Sequence, residues 1–300
     1  MKKNCPNSLC PNFNSNLFVV KNGKKKRACD SKMIQRYQCK TCKKYFSNST
    51  GKLEFNQKKR RKNPLVYELL ASGISMRRAA KITKLSRGTI TRRLCYFGKK
   101  SRVEQKRRLD LLKKDKVEHL QIDDLVTKEN SKLKPLSVSI AVDAKRRYIL
   151  GAEVSELRAF GHLASVGHVK YPGRKNKHKE GLFNLFEKIK DSVIDDVRVK
   201  SDEHKFYPEF VNRYFPAAKH KQFRSEKGCI AGQGELKKVK FDPLFAINHT
   251  CAMFRANINR LFRRTWCTTK DADRLQDHLD LFINYFNSKL IKNAFSISTR

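Results

Sequence analysis

Three oxygen-bearing side chains, Asp123, Asp202 and Asn248, stand far apart in a chain dominated by Lys and Arg, each where a strand or helix would present it to one shared point. Carboxylate and amide oxygens are the hard donors that Mg²⁺ prefers, so their convergence would make a divalent-cation site. Set in so basic a chain, such a site implies metal-dependent cutting of nucleic acid. The 300 residues carry 68 Lys+Arg against 28 Asp+Glu, a formal net charge of +40. An excess of that size repels itself in a compact fold unless a polyanion screens it, and nucleic acid is the obvious polyanion. A membrane surface is anionic too, but no apolar run reaches the length of about 18 residues that a spanning helix needs. The opening Met1-Lys2-Lys3-Asn4-Cys5-Pro6 leads into no hydrophobic signal region. The expectation is a soluble, cytosolic protein with no membrane partner. A hydrophobic content of 39% is enough for one sizeable core with one or two small modules. The nine cysteines are an odd number without a secretory signal, which favours metal ligation or buried thiols over a disulfide framework.

The acids need elements to place them. His119 to Val126 reads as a strand carrying Asp123, Leu136 to Asp143 as a second and Arg147 to Val154 as a third, with Asp143-Ala144-Lys145-Arg146 as the hairpin turn between the last two. A helix follows from about Lys179 to Ser192. Val197 to Asp202 then alternates as a fourth strand ending in its acid, and the carboxyl end of such a strand is where ligand chemistry collects in α/β sheets. Phe210-Val211 and Tyr214-Phe215 suggest a short helix. Asp242-Pro243 opens a long amphipathic one with Leu244, Ile247, Cys251, Phe254, Ile258 and Leu261 on its apolar side, and Asn248 and Arg255 seven residues apart on nearly one face. The fold class expected is α/β.

Two smaller modules precede this core. Cys5 and Cys10 flank a Pro-Asn-Ser-Leu turn, and Cys39-Lys40-Thr41-Cys42 makes a second knuckle. Two close thiolate pairs joined by a hairpin supply the tetrahedron that zinc favours, giving a structural site with no open position. Cys29 is the alternative should Cys10 not be a ligand. After the basic run Lys58 to Lys62, helical spacing takes over from Leu65 to Phe97, with Gly73 fitting a helix end and Ser75 and Ser86 fitting N-caps. This is a helix-turn-helix pattern. Its last helix would expose Arg87, Thr89, Thr91, Arg92 and Arg93 to base edges and phosphates. Lys99 to Lys116 reads as a solvated connecting helix.

Ile122-Asp123-Asp124-Leu125, Ser201-Asp202-Glu203-His204 with Tyr207-Pro208, and Ile247-Asn248 through Arg255, Arg260-Leu261, Arg263-Arg264-Thr265 and Thr268-Thr269-Lys270 resemble the catalytic domain of bacterial insertion-sequence transposases of the IS-one type. The cysteine module and helix-turn-helix are similar to the first half of that group, so the resemblance covers nearly the whole chain. It implies four parts: a four-cysteine zinc ribbon at 1–52, a helix-turn-helix at 63–100, a basic linker helix at 101–117 and an RNase H-like catalytic domain at 118–300. It further implies structural Zn²⁺ on Cys5, Cys10, Cys39 and Cys42, and two Mg²⁺ or Mn²⁺ on the catalytic set Asp123, Asp202 and Asn248. The third position is Glu in most relatives and Asn248 here, and an Asn oxygen ligates without contributing charge. The partners implied are element-end and target DNA and further copies of the chain on that DNA, in a bacterial cytoplasm at the nucleoid. Arg255, Arg260, Arg263 and Arg264 would bind DNA backbone.

Other readings stay open at this point. Asp124 is the alternative ligand to Asp123, because a register error of one residue exchanges the two faces of a strand. Asp202 could cap the helix after it. Asn248 could have no metal role, with Glu235 or Glu226 in its place. His204 and His249 neighbour the acids, Trp266 suits an anchor between the last helices, and Lys170 to Lys179 reads as a mobile basic loop. A DNA-binding regulator with an inactive core, and a nuclease acting on RNA, are the competing functions.

Overall fold

The computed structural model describes residues 3–224, 242–262 and 266–290. The chain divides into two compact units, Met1–Val66 and Tyr67–Arg300. In the first, strands β1 (Val19–Lys26), β2 (Met33–Cys39) and β3 (Tyr45–Ser47) pair antiparallel in that order. Its core is little more than Tyr37 stacked on Phe46, with ring centroids 5.6 Å apart, beside Cys5, Cys10 and Cys39. So small an apolar cluster cannot offset the chain entropy by itself, and modules of this size need a second source of stability.

Helix α1 (Asn63–Ala71) crosses the boundary between the units, and α2 (Met76–Thr83) and α3 (Arg87–Leu112) follow it. Ser75 accepts the N–H of Arg78 and Ser86 that of Thr89, so both serines cap as their positions led one to expect. Gly73 has a φ of +73°, the left-handed region where a β-carbon is costly, and it ends the turn after α1. The expected junction between recognition helix and linker, at residues 100 and 101, falls inside α3. That helix runs unbroken for 26 residues because Ile90, Leu94, Phe97, Ser101, Gln105 and Leu109 keep one buried stripe along its length. The helix packs on α8 (Ala272–Tyr285), while Leu109 joins the core beside the sheet and Gln105 reaches β6. At Gly98 an added β-carbon would lie 2.5–2.8 Å from Asp277, so the missing side chain is what lets the two helices touch. Arg102 then bridges Asp277 at 2.9 Å and Asp280 at 2.6 Å.

The second unit is mixed α/β. Its sheet runs β6-β5-β4-β7-β8, with β4 (Val117–Lys128), β5 (Pro135–Asp143) and β6 (Tyr148–Glu156) antiparallel and β7 (Val193–Asp202) and β8 (Lys219–Phe223) parallel to β4. Helix α4 (Ala164–Lys170) follows β6. Helices α5 (His178–Ile189) and α6 (Tyr207–Tyr214) bury Leu182, Phe186, Phe210 and Val211 against Leu120, Ile122 and Val199. Since neighbouring residues of a strand face opposite ways, His119, Gln121 and Asp123 look toward the other face, where α7 (Phe245–Asn257) lies. The outer edge of β6 is closed by amide side chains. Gln276 accepts from Val154 at 2.8 Å and donates to Ala152 at 2.9 Å, Asn287 accepts from Ile149 at 3.1 Å, and Gln105 donates to Ile149 at 3.0 Å. Backbone groups that could otherwise pair with another strand are thereby satisfied.

Other elements of the fold also differ from expectation. β8 is an edge strand that its polar sequence hid. The amphipathic helix stops at Asn257, with one tight turn at Asn259–Leu261 after it. The stretch expected to be a mobile loop is tied down, since Arg174 donates to Leu157 at 2.8 Å, Pro135 at 2.9 Å and Glu129 at 3.0 Å. Trp266 is fully exposed and anchors nothing, because no described helix packs over it.

Candidate functional site

The thiols of Cys5, Cys10, Cys39 and Cys42 all lie within 4.8 Å of one another. Cys5 and Cys42 are 3.7 Å apart and Cys10 and Cys39 3.9 Å. Four sulfurs around one ion at a Zn–S distance of about 2.3 Å are separated by about 3.8 Å, so the quartet fits a tetrahedral metal. Backbone N–H groups of the second knuckle point at its sulfurs. The one from Lys44 holds Cys42 down to about 6, and that from Cys42 lowers Cys39. Burial raises Cys10, and pushes Cys5 up to about 12. Cys29 stands outside the quartet.

In the second unit, the last pair between β4 and β7 is Ile122 with Ser201, so the next residues, Asp123 and Asp202, end up side by side beyond it. Burial, and then the charge of Asp202, push Asp123 up to about 7, while the positive charge of Arg255 pulls the other way. Burial also raises Asp202. Two crowded carboxylates that resist ionisation leave a place whose electrostatics favour a cation.

Helix α7 reaches this pair through Gln121. That side chain accepts the N–H of Ile247 at 3.0 Å and donates to Pro243 at 3.0 Å, which fixes the first turn of α7 above β4. Ile247 stands level with Gln121, and Cys251 lies close enough to Asp123 for that charge to raise its thiol beyond the effect of burial. Asn248, Cys251 and Arg255 are spaced three and four apart on one face. The hydrogen bond that fixes the Asn248 side chain runs from its Nδ2 to Asp242 at 2.9 Å, rather than to Asp123 or Asp202. Glu226 and Glu235, the alternatives to Asn248, lie outside the described residues.

Asp124 faces the opposite way. One of its oxygens accepts from Ser137 at 2.8 Å and Ser139 at 2.6 Å, the other from His178 at 2.8 Å and Tyr207 at 2.6 Å. A carboxylate has about four acceptor positions, and all four are taken. Burial would raise this group, but the His178 hydrogen bond and charge, then Ser139 and Tyr207, hold it at about 2. The ligand atoms of Asp124, His178 and His204 lie within 4.8 Å of one another, so a metal could be held there too. It would have to displace the Asp124–His178 hydrogen bond. Burial, then the charge of His178, lower His204. In the sequence His178 is one residue of the basic stretch Lys170 to Lys179. The polar pair Ser137 and Ser139 in an otherwise apolar strand was the signal that a buried acid lies opposite.

This network carries a stability prediction. Asp124→Ala strands four buried donors and is expected to lower the unfolding free energy of the second unit by about 3–5 kcal/mol, measured by urea denaturation. Asp124→Asn, whose amide can donate to the serine hydroxyls, should cost less than half of that. Equal losses for the two variants would remove the hydrogen-bonding explanation.

The expected DNA contacts are not all at the surface. Arg87 and Arg92 are exposed and Thr89 and Thr91 half-buried. Arg93, expected on the exposed side, is only 5% exposed because it lies beside Leu94 on the stripe that faces inward. Arg260, 8% exposed, donates to Thr269 at 2.9 Å and so holds the chain together where a phosphate contact was expected. Arg255 is half-buried beside Asp123, and Arg263 and Arg264 lie outside the described residues. His249 is half-buried against Phe245. No helix among the described residues is long and apolar enough to cross a membrane. Compared with known proteins, the chain matches no family model and no curated sequence.

Proposed function

We propose that the second unit is an RNase H-like phosphoryl-transfer domain and that the chain is a DNA transposase of the insertion-sequence kind, cutting DNA at element ends and joining the freed 3′-hydroxyl to target DNA. The observation that carries this reading is that Asp123, midway along β4 and with a raised pKa, stands beside Asp202 at the carboxyl end of the adjacent parallel strand β7. The strand order, three antiparallel strands followed by two parallel ones with a helix crossing the first, agrees with an RNase H-like plan. Asp123 and Asp202 would hold divalent cations, which would supply neutralising charge and a more acidic attacking oxygen. The protein's own part is positional. Asp123 and Asp202 hold the site from rigid strands, Asn248 orients a neutral oxygen from α7, and Arg255 lies close enough to draw a phosphate toward them. Helices α2 and α3 would read the DNA, and the cysteine quartet would hold structural zinc with its four positions filled by protein.

The test uses a donor plasmid carrying the reading frame with its flanking DNA and a target plasmid, in Mg²⁺ or Mn²⁺. Strand joining that disappears in Asp123→Ala and Asp202→Ala supports the proposal. Cleavage of an RNA–DNA hybrid without joining favours a nuclease. The second reading, a DNA-binding regulator with an inactive core, draws on Asn248, which is neutral and has its amide committed to Asp242. It expects sequence-specific duplex binding that both alanine variants retain, with no joining.

A further inference from the structure

The face of the sheet that carries Asp123 and Asp202 changes sign toward the start of its strands. Lys200 and then Arg198 of β7 stand level with Gln121 and His119 of β4. β8 sets Lys221 level with Lys200 and Lys219 level with Arg198. Like charges directly opposite one another on neighbouring strands cost stability, and here two such rungs follow one another. Lys145 and Arg147, from the turn between β5 and β6, join Arg198 and Lys200 around a cavity of about 420 Å³ under the first turn of α7.

Among the described residues little offsets this charge. Lys145 has Glu118 at 3.6 Å. Arg147 lies over the Phe245 ring at 5.1 Å, and Lys200 over Phe223 at 5.8 Å. Among the described residues no carboxylate pairs with Arg147, Arg198 or Lys200. Asp242 also lines the cavity and brings one negative charge to it, its oxygens accepting from Leu244 at 2.8 Å and Asn248 at 2.9 Å.

Resting on the reading of this unit as a DNA-cutting domain, we propose that the cavity and its cation rungs hold the phosphates of the DNA strand that adjoin the phosphate being cut. Same-face residues of a strand are about 6.7 Å apart, so Lys200 is one such step and Arg198 two steps from the acid pair. The cations form a track that leads away from the acids and opens toward β8. A single free phosphate would use one end of it, whereas a strand uses its length.

The experiment measures binding of a fluorescent single-stranded DNA oligonucleotide to the full chain by anisotropy, without added divalent cation, across a range of salt. Each phosphate contact contributes about 0.7 to the slope of log K against log salt for single strands. Arg198→Ala with Lys200→Ala is expected to reduce that slope by about 1.4. Lys113→Ala with Lys190→Ala, which removes the same charge elsewhere, should change it by less than half as much. Equal changes in the two pairs overturn the track. So does a variant that loses thermal stabilisation by inorganic phosphate while keeping the DNA slope, since the cavity then serves a free anion. A metal-dependent DNA-cutting assay on the same wild-type protein keeps the two ideas apart. No cutting with the slope change present sinks the transposase reading alone, and cutting with no slope change sinks the track alone.

Discussion

Asp123→Asn is expected to make the cation-free protein more stable by about 2 kcal/mol at pH 8 while lowering DNA cleavage at least about 1,000-fold. The folded carboxyl titrates near 7, against about 3.9 in an unfolded chain. Between those values the unfolded state has released a proton that the folded state still holds. Stability therefore falls as pH rises from about 4 to 7 and levels off above that, by at most about 4 kcal/mol for a shift of three units. Asn has no such charge to desolvate, and its oxygen can still accept the Asp124 N–H that Asp123 accepts at 2.7 Å. Urea denaturation of both proteins without divalent cations should show the gap closing as the pH is lowered toward 5, and adding Mn²⁺ should stabilise the wild type more than the variant. A variant no more stable than wild type at pH 8 would mean that the Asp123 carboxylate is under no strain, and the cation site would lose its physical basis.

Removing the metal from the cysteine quartet should have the largest structural effect of all. Structural zinc contributes apparent binding free energies of about 10–16 kcal/mol in small modules, and the Tyr37–Phe46 core has nothing comparable to put in its place. Chelation, or Cys39→Ser, is expected to abolish amide protection throughout β1, β2 and β3 in hydrogen exchange. The thermal transition of residues 67–290 should stay within a few degrees. Metal analysis should find one zinc per chain in the wild type, released as the pH falls because the thiolates take up protons. Persistent protection of β1 to β3 in the metal-free protein would show that the module folds on apolar contacts alone.

Much of this arrangement could be read from residue order, for identifiable reasons. The strands around Asp123, Leu136 to Asp143 and Val197 to Asp202 announce themselves because alternation or an unbroken apolar run survives burial on one face or both. The serine caps of α2 and α3 are local, needing only a hydroxyl three residues before an N–H. What stayed hidden was set at long range. Alternation says that Asp123 and Asp124 point apart, but which of them faces α7 depends on the Gln121 link to Ile247, 126 residues away. His178 finds Asp124 only once α5 lies on the sheet. Arg93 and Arg260 look like surface charge in one dimension, and burial appears only when α3 and the chain after α7 are packed. β8 was missed because an edge strand built from Lys, His and Gln lacks the hydrophobic alternation that marks its neighbours.

The unbroken course of α3 has a consequence for any site the chain reads. Its first turns bear Arg87 and Arg92, and its later turns are bolted to α8 by Gly98 and Arg102. The exposed arginines and the mount share one unbroken helix about 39 Å long. If α3 reads DNA and the Asp123–Asp202 pair cuts it, the separation between bases touched and bond broken would be a fixed length, a molecular ruler, and DNA spaced otherwise would have to bend to meet it.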